Sequence, residues 1–185
     1  MYQSQLQNKL FFALCLILVA VTGCRSYDPN RPSEEEIQRV KVEEAIASFK
    51  DRDPDIKRWF DNAYGYAVFP TVGKGAVAVG GAYGRGRLYE QGQYVGNTSM
   101  KQLTVGFQWG GQAYSEIIFF EDAEVLEDFK NGNFEFGAQV SAVAATLGAS
   151  ADAAYDKGVA VFTIAKGGLM YEASVGGQKL NYYPR

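Results

Sequence analysis

Asp53-Pro54-Asp55-Ile56-Lys57-Arg58-Trp59-Phe60-Asp61-Asn62-Ala63-Tyr64-Gly65-Tyr66-Ala67-Val68-Phe69 is the stretch at which the hydrophobic period of this chain changes. Asp53-Pro54 places a cap before a proline at the first helical position, Ile56, Trp59, Phe60 and Ala63 form one buried face, and Gly65 is the stop. From Tyr66 onward the spacing alternates, and glycine, valine and aromatic residues dominate, which predicts antiparallel strands. Helices come first and a sheet follows. The expected fold is α+β: a mostly antiparallel β-sheet, sandwich or barrel-like, with two N-terminal helices and one inserted helix.

On the N-terminal side, Ser33-Glu34-Glu35-Glu36 is a capping box, so a helix opens there. Ile37, Val40, Ile46 and Phe49 recur at near-helical spacing and are its expected apolar stripe. On the C-terminal side, Leu103, Val105, Phe107 and Trp109 alternate with Thr104, Gly106, Gln108 and Gly110, and a similar alternation runs from Phe134 to Ala144. Ile117–Phe120 is apolar on both faces and belongs in a central strand. The inserted helix is expected over 123–131, with Asp122 as cap, Val125, Leu126 and Phe129 inward, and Gly132 after its end.

Farther upstream, Leu10–Cys24 is a short apolar run ending at Val21-Thr22-Gly23-Cys24. A helix needs ~20 apolar residues to span a ~30 Å hydrocarbon core, so this run targets rather than spans. The ending resembles a lipobox, in which Cys24 takes a diacylglyceryl group before cleavage; an ordinary secretory signal cut nearby is the alternative. The domains expected are a signal peptide at 1–23, a proline-containing tether at 24–32 and a folded domain at 33–185.

Of 185 residues, 18 are Lys or Arg and 21 are Asp or Glu. The expected signal segment 1–23 carries Lys9 as its one charged side chain, so its removal leaves 17 against 21, a net of −4. That is not the basic surplus nucleic-acid binding requires. There is no histidine, and the only cysteines are Cys15 and Cys24. Ser-His-Asp and Cys-His catalysis and imidazole or thiolate zinc sites are thereby excluded from the folded part. No cofactor and no metal is expected.

Gly65-Tyr66-Ala67-Val68-Phe69 is echoed by Gly158-Val159-Ala160-Val161-Phe162, and Lys74-Gly75 by Lys166-Gly167, from duplication or from glycine-rich strand composition. Gly73-Lys74-Gly75 is not a dinucleotide loop, because a strand rather than a helix follows. In Tyr83-Gly84-Arg85-Gly86-Arg87, period two puts Tyr83, Arg85 and Arg87 on one side. Two guanidiniums beside an aromatic ring suit a headgroup phosphate; the other reading is a polar strand end with solvated arginines and glycines that permit close approach. Most of the tyrosines are expected in the core or in strand pairing. Glu121/Asp122 and Glu127/Asp128 are helix-cap and solvated residues, not general acids or bases.

Lys166-Gly167-Gly168-Leu169-Met170-Tyr171-Glu172-Ala173-Ser174-Val175-Gly176-Gly177, with Ala67-Val68-Phe69-Pro70, Lys74-Gly75, Gly80-Gly81-x-x-Gly84-x-Gly86 and Gly106-x-Gln108-x-Gly110-Gly111-Gln112, resembles the SYLF domain family over roughly Ser33 to Tyr183. The resemblance implies lipid binding and a compact, mostly antiparallel β fold with packed helices, and bacterial members of this kind are commonly lone lipoproteins. Glu34, Glu35, Glu36, Glu43 and Glu44 make the first helix acidic, which disfavours its insertion into an anionic bilayer.

The expected function is that of a non-catalytic, membrane-anchored lipoprotein that binds phospholipid headgroups. Cys24 is its lipidation site, Lys74, Arg85, Arg87 and Lys166 are the phosphate contacts, and Tyr83 and Trp109 the aromatic ones. Arg25 after Cys24 resembles outer-membrane sorting, so the expected place is the periplasmic face of the outer membrane. The alternatives are an envelope interaction protein that scaffolds a protein partner and a small integral β-barrel.

Overall fold

The helix expected after Ser33 forms as α1, Glu34–Arg52, with three acidic residues in its first turn and Lys50 and Arg52 in its last, each sign complementing the helix dipole. The computed structural model describes residues 32–77, 79–105, 112–132, 142–166 and 177–185, with 74–77, 79–80, 103–105 and 112 described through the backbone only. After α1 come a 3₁₀ turn, Pro54–Ile56, and α2, Lys57–Asn62. The strands are β1 (Gly65–Val77), β2 (Val79–Glu90), β3 (Gln93–Val105), β4 (Gln112–Phe120), β5 (Val143–Ala144), β6 (Val159–Ala165) and β7 (Gln178–Pro184), with α3 (Ala123–Lys130) between β4 and β5. Among the described residues, no helix is long and apolar enough to cross a membrane.

The strands make one sheet in the order β5-β6-β4-β1-β2-β3-β7, antiparallel throughout except for the short β5–β6 pair. This is the α+β architecture expected, and the doubly apolar Ile117–Phe120 lies in β4 between β6 and β1. One face packs on α1, the 3₁₀ turn and α2 through Val42, Phe49, Ile56, Trp59, Phe119 and Phe162. The other face holds Phe69, Leu88, Met100, Ile118, Val161 and Leu180, capped by Leu126 and Phe129 of α3. Because Val161 of β6 and Leu180 of β7 share this second core although their strands lie far apart in the sheet order, the sheet curls. Gln178 of β7 donates to Glu116 of β4 across the inside of the curl (3.1 Å), and both residues are buried. Every described core residue lies between Val42 and Tyr182, so residues 34–185 contain their own cores.

The curl depends on a bulge at Phe69-Pro70. Val68 faces Arg87 while Thr71 faces Arg85, and on the other side Phe69 faces Glu116 while Val72 faces Tyr114, so β1 has one extra residue against both neighbours. Proline has no amide to give the ladder, which makes it suitable for the extra position. Its carbonyl accepts from Ser115 Oγ at 2.8 Å. Phe69 and Val72 then both enter the inner core.

Three expectations are corrected. Ile37 and Val40 are 38% and 40% exposed; the buried stripe of α1 is Val42, Ala45 and Phe49, because the sheet lies beneath the later turns of the helix. The echo of 65–69 in 158–162 does not join equivalent positions. Ala67 and Phe69 face the inner core but Ala160 and Phe162 face the helices, since β4 pairs the two strands one residue out of step with the echo. Finally, Ala76–Val79 is not one continuous strand: β1 runs through Lys74-Gly75 to Val77 and the chain then reverses, with Val77 paired to Val79. Of the alternation at 134–144, residues 134–141 lie outside the described residues, and so do Phe107 and Trp109.

Asp53 caps the 3₁₀ turn as expected, accepting from Asp55 N at 3.3 Å. It also accepts from Gly148 N (3.2 Å) and Ser150 N (2.7 Å), nearly a hundred residues along the chain, and is fully buried. Burial alone would raise its pKa, but the hydrogen bonds from Ser150, Gly148 and Asp55 outweigh it and hold the carboxyl below the ordinary aspartate value. Its contribution is therefore complete above the unfolded pKa and is lost as pH falls through the lower folded value. Asp53→Ala should reduce unfolding free energy by about 2–4 kcal/mol and flatten the acid limb of stability against pH, read by urea denaturation across pH.

Candidate functional site

The first turns of α1 lie beside the outer face of β2, β3 and β7, and a cleft of about 440 Å³ opens between them. Period-two alternation on β2 brings Tyr83 and Arg85 to it, the same alternation on β3 brings Asn97 and Ser99, and β7 adds Tyr183. Glu34, Glu35 and Gln38 line the helix side. Gln38 Nε2 donates to the Arg85 carbonyl at 3.1 Å, and Ser99 Oγ and Tyr183 OH lie 3.3 Å apart. Tyr83 and Tyr183 are 49% and 53% exposed, so both rings are open to a ligand. On the reverse face of β2, a Cβ at Gly84 would stand 2.9 Å from Val72 Cγ2 and one at Gly86 2.9 Å from the Phe69 ring. Only glycine lets the core approach β2 this closely.

Arg85 and Arg87 share a side of β2, as the sequence predicts, but their environments differ. Arg85 is exposed and forms no ion pair among the described residues. Arg87 is 5% exposed: its guanidinium donates to the Glu35 carbonyl at 2.8 Å, lies 4.4 Å from the centre of the Tyr94 ring and stands 3.8 Å from the Glu35 carboxylate. Burial raises the pKa of neighbouring Tyr89, an effect that the positive charge and hydrogen bond of Arg87 oppose. Unlike Arg85, Arg87 is covered: its Nη2 is turned to α1, where it fastens the helix.

Lys166 is elsewhere. Its Nζ donates to Thr71 Oγ1 at 3.1 Å, and it lines a separate groove of about 370 Å³ with Lys41, Glu44 and Arg52 toward the other end of α1. Lys74 stands on β1 opposite Ala82 and Gln112. Cys24 and Trp109 lie outside the described residues. The structure therefore brings Tyr83 and Arg85 together and keeps Lys166 apart from them. Asn97, Ser99 and the acidic wall were not anticipated as site residues; the alternation of β3 was a signal for the first two, whereas the packing of α1 had no local signal.

The inner face holds a second polar group: Glu116, Gln178, Gln102, Thr163 and Tyr114 are all buried there. Burial, together with the Glu116 charge, pushes the Tyr114 phenol far above its ordinary range, against a hydrogen bond from Gln178. It stays a neutral hydroxyl at any physiological pH. Among the described residues, no group of His, Cys, Asp and Glu is arranged to hold a metal.

Residues 101–182 match the family described as Ysc84, Las17-binding protein actin regulator. Beta cell expansion factor A of Aeromonas veronii is 31% identical over 146 residues, 73% of this chain and 52% of that protein. The chain carries a SYLF-family domain. It spans about half the length of the curated relative it matches. The SYLF family is generally of binding type. The matched segment runs from the end of β3 into β7, so Tyr83, Arg85 and the α1 wall of the cleft precede it.

The two arginines should separate experimentally. Arg87→Ala leaves the Glu35 carbonyl and Tyr94 face without their partner and should cost about 2–3 kcal/mol, while Arg85→Ala should change stability by no more than about 0.5 kcal/mol. Chemical denaturation of both variants reads the difference.

Proposed function

We propose that this protein is a lipoprotein held at the cell envelope by acyl chains on Cys24, and that its SYLF domain binds phospholipid headgroups without catalysing a reaction. The observation that carries the reading is Arg85: an exposed guanidinium, unpaired among the described residues, in a cleft between two exposed tyrosine rings. A guanidinium matches phosphate oxygens in a bidentate way, and tyrosine has an apolar ring with a polar tip suited to the headgroup layer. Removal of residues 1–23 and acylation of Cys24, with residues 24–32 as tether, would bring the cleft to the leaflet. Each buried methylene adds ~0.8 kcal/mol, so two or more chains hold the protein firmly while individual headgroup contacts stay weak. Arg25 supports the periplasmic face of the outer membrane as its place.

A second reading is an envelope interaction protein. The family description, which names a protein that is bound, favours it.

Palmitate labelling in growing cells and vesicle co-sedimentation of a Ser26–Arg185 protein test the proposal together. Label should enter the wild type and not Cys24→Ser. Vesicles of mixed phosphatidylethanolamine and phosphatidylglycerol should retain the domain, and Arg85→Ala should weaken retention by about tenfold, the loss of one charge-assisted contact. Absence of retention together with a stable protein partner in pull-down would favour the second reading.

A further inference from the structure

We infer that the cleft between α1 and β2–β3–β7 selects a zwitterionic headgroup, a phosphate ester bearing an ammonium group, over an anionic one. The inference rests on the headgroup reading above and goes further by naming the ligand class. Its basis is the charge inside the cleft. Glu35 has Arg87 at 3.8 Å. Glu34 and Arg85 line the same cleft, yet among the described residues neither forms an ion pair with the other or with any third group. Among the lining residues, one unmatched carboxylate and one unmatched guanidinium therefore share a space of about 440 Å³, and the exposed Lys101 and Lys179 stand in register beside Tyr83 on the same sheet face.

A ligand with a single phosphate and no cation would meet Arg85 but face Glu34 across a confined space, where like charges repel. An ammonium-bearing phosphate ester meets both groups with the correct sign. Tyr83 and Tyr183, both about half exposed, offer aromatic faces, and a ring attracts an ammonium through its quadrupole. Asn97 and Ser99 supply neutral polar atoms for the remaining ester oxygens.

The experiment measures retention of the Ser26–Arg185 protein on three vesicle types: phosphatidylcholine, phosphatidylcholine with phosphatidylethanolamine, and phosphatidylglycerol. The two zwitterionic compositions should retain the wild type about tenfold more strongly than phosphatidylglycerol. Glu34→Gln should narrow that ratio to near one while keeping the protein's thermal midpoint, and Arg85→Ala should lower retention on all three. Excess soluble phosphoethanolamine should compete for retention, which separates recognition of the headgroup from attraction to a bilayer surface; undiminished retention would overturn the assignment to the cleft. Stronger binding to phosphatidylglycerol, or a Glu34→Gln ratio equal to wild type, would overturn zwitterion selection and leave headgroup binding intact. Failure of all three vesicles to retain the wild type would overturn both.

Discussion

The fastening of α1 by Arg87 is the constraint on which the rest of the candidate site depends. A buried guanidinium costs several kcal/mol of hydration unless its donors and charge are met. Here a helix carbonyl meets Nη2, and an aromatic face and a carboxylate meet the charge, while the buried Nε has no partner among the described residues; two of these three contacts come from Glu35 at the start of α1. The beginning of the helix is thus held against β2 and β3 although Ile37 and Val40 contribute little to burial there. Two residues away, Arg85 projects to the same side with no such cover. The cleft is the space left beside the fastening, and of its charged groups Glu34 and Arg85 are those the fastening does not use.

The sheet supplies the platform through a different set of interactions. An extra residue at Phe69-Pro70 turns Phe69 and Val72 into one inner core, and Gly84 and Gly86 allow that core to press against β2 from behind. On the helical side, Trp59 packs edge-on against Phe162 and Tyr155, while Asp53 ties the end of α1 to residues 148–150. At α3, Lys130 pairs with Glu90 of β2 at 2.9 Å in a half-buried setting, and the hydrogen bond from Lys130 holds the Glu90 carboxyl below its ordinary range. Both ends of α1 are therefore fixed by polar contacts, and its middle by apolar ones.

Much of this was legible locally. Asp122 caps α3 through Val125 N, Leu126 and Phe129 turn inward, and β4 is central because Ile117–Phe120 has no polar face. These features follow from short-range period and capping chemistry. The alternation that placed Tyr83, Arg85 and Arg87 on one side was also legible, but which arginine would be covered depends on where a helix some fifty residues away comes to rest. Asp53 is similar: its role as a cap is written in Asp-Pro, whereas its partners at Gly148 and Ser150 are set by tertiary packing. The stripe Ile37–Val40 misled because helical spacing gives a face without saying which turns of the helix the sheet will reach. The echo between 65–69 and 158–162 misled because similar strand composition does not fix register.

The central claim is that the space beside the Arg87 fastening is where ligand meets the domain. Backbone amide shifts of the isotopically labelled Ser26–Arg185 protein, followed as phosphocholine is added, test it most directly. The account predicts that the largest changes fall on Tyr83–Gly86, Asn97–Ser99, Tyr183 and the first turns of α1. Changes centred instead on Lys41, Arg52 and Lys166, or spread without a focus, would contradict it.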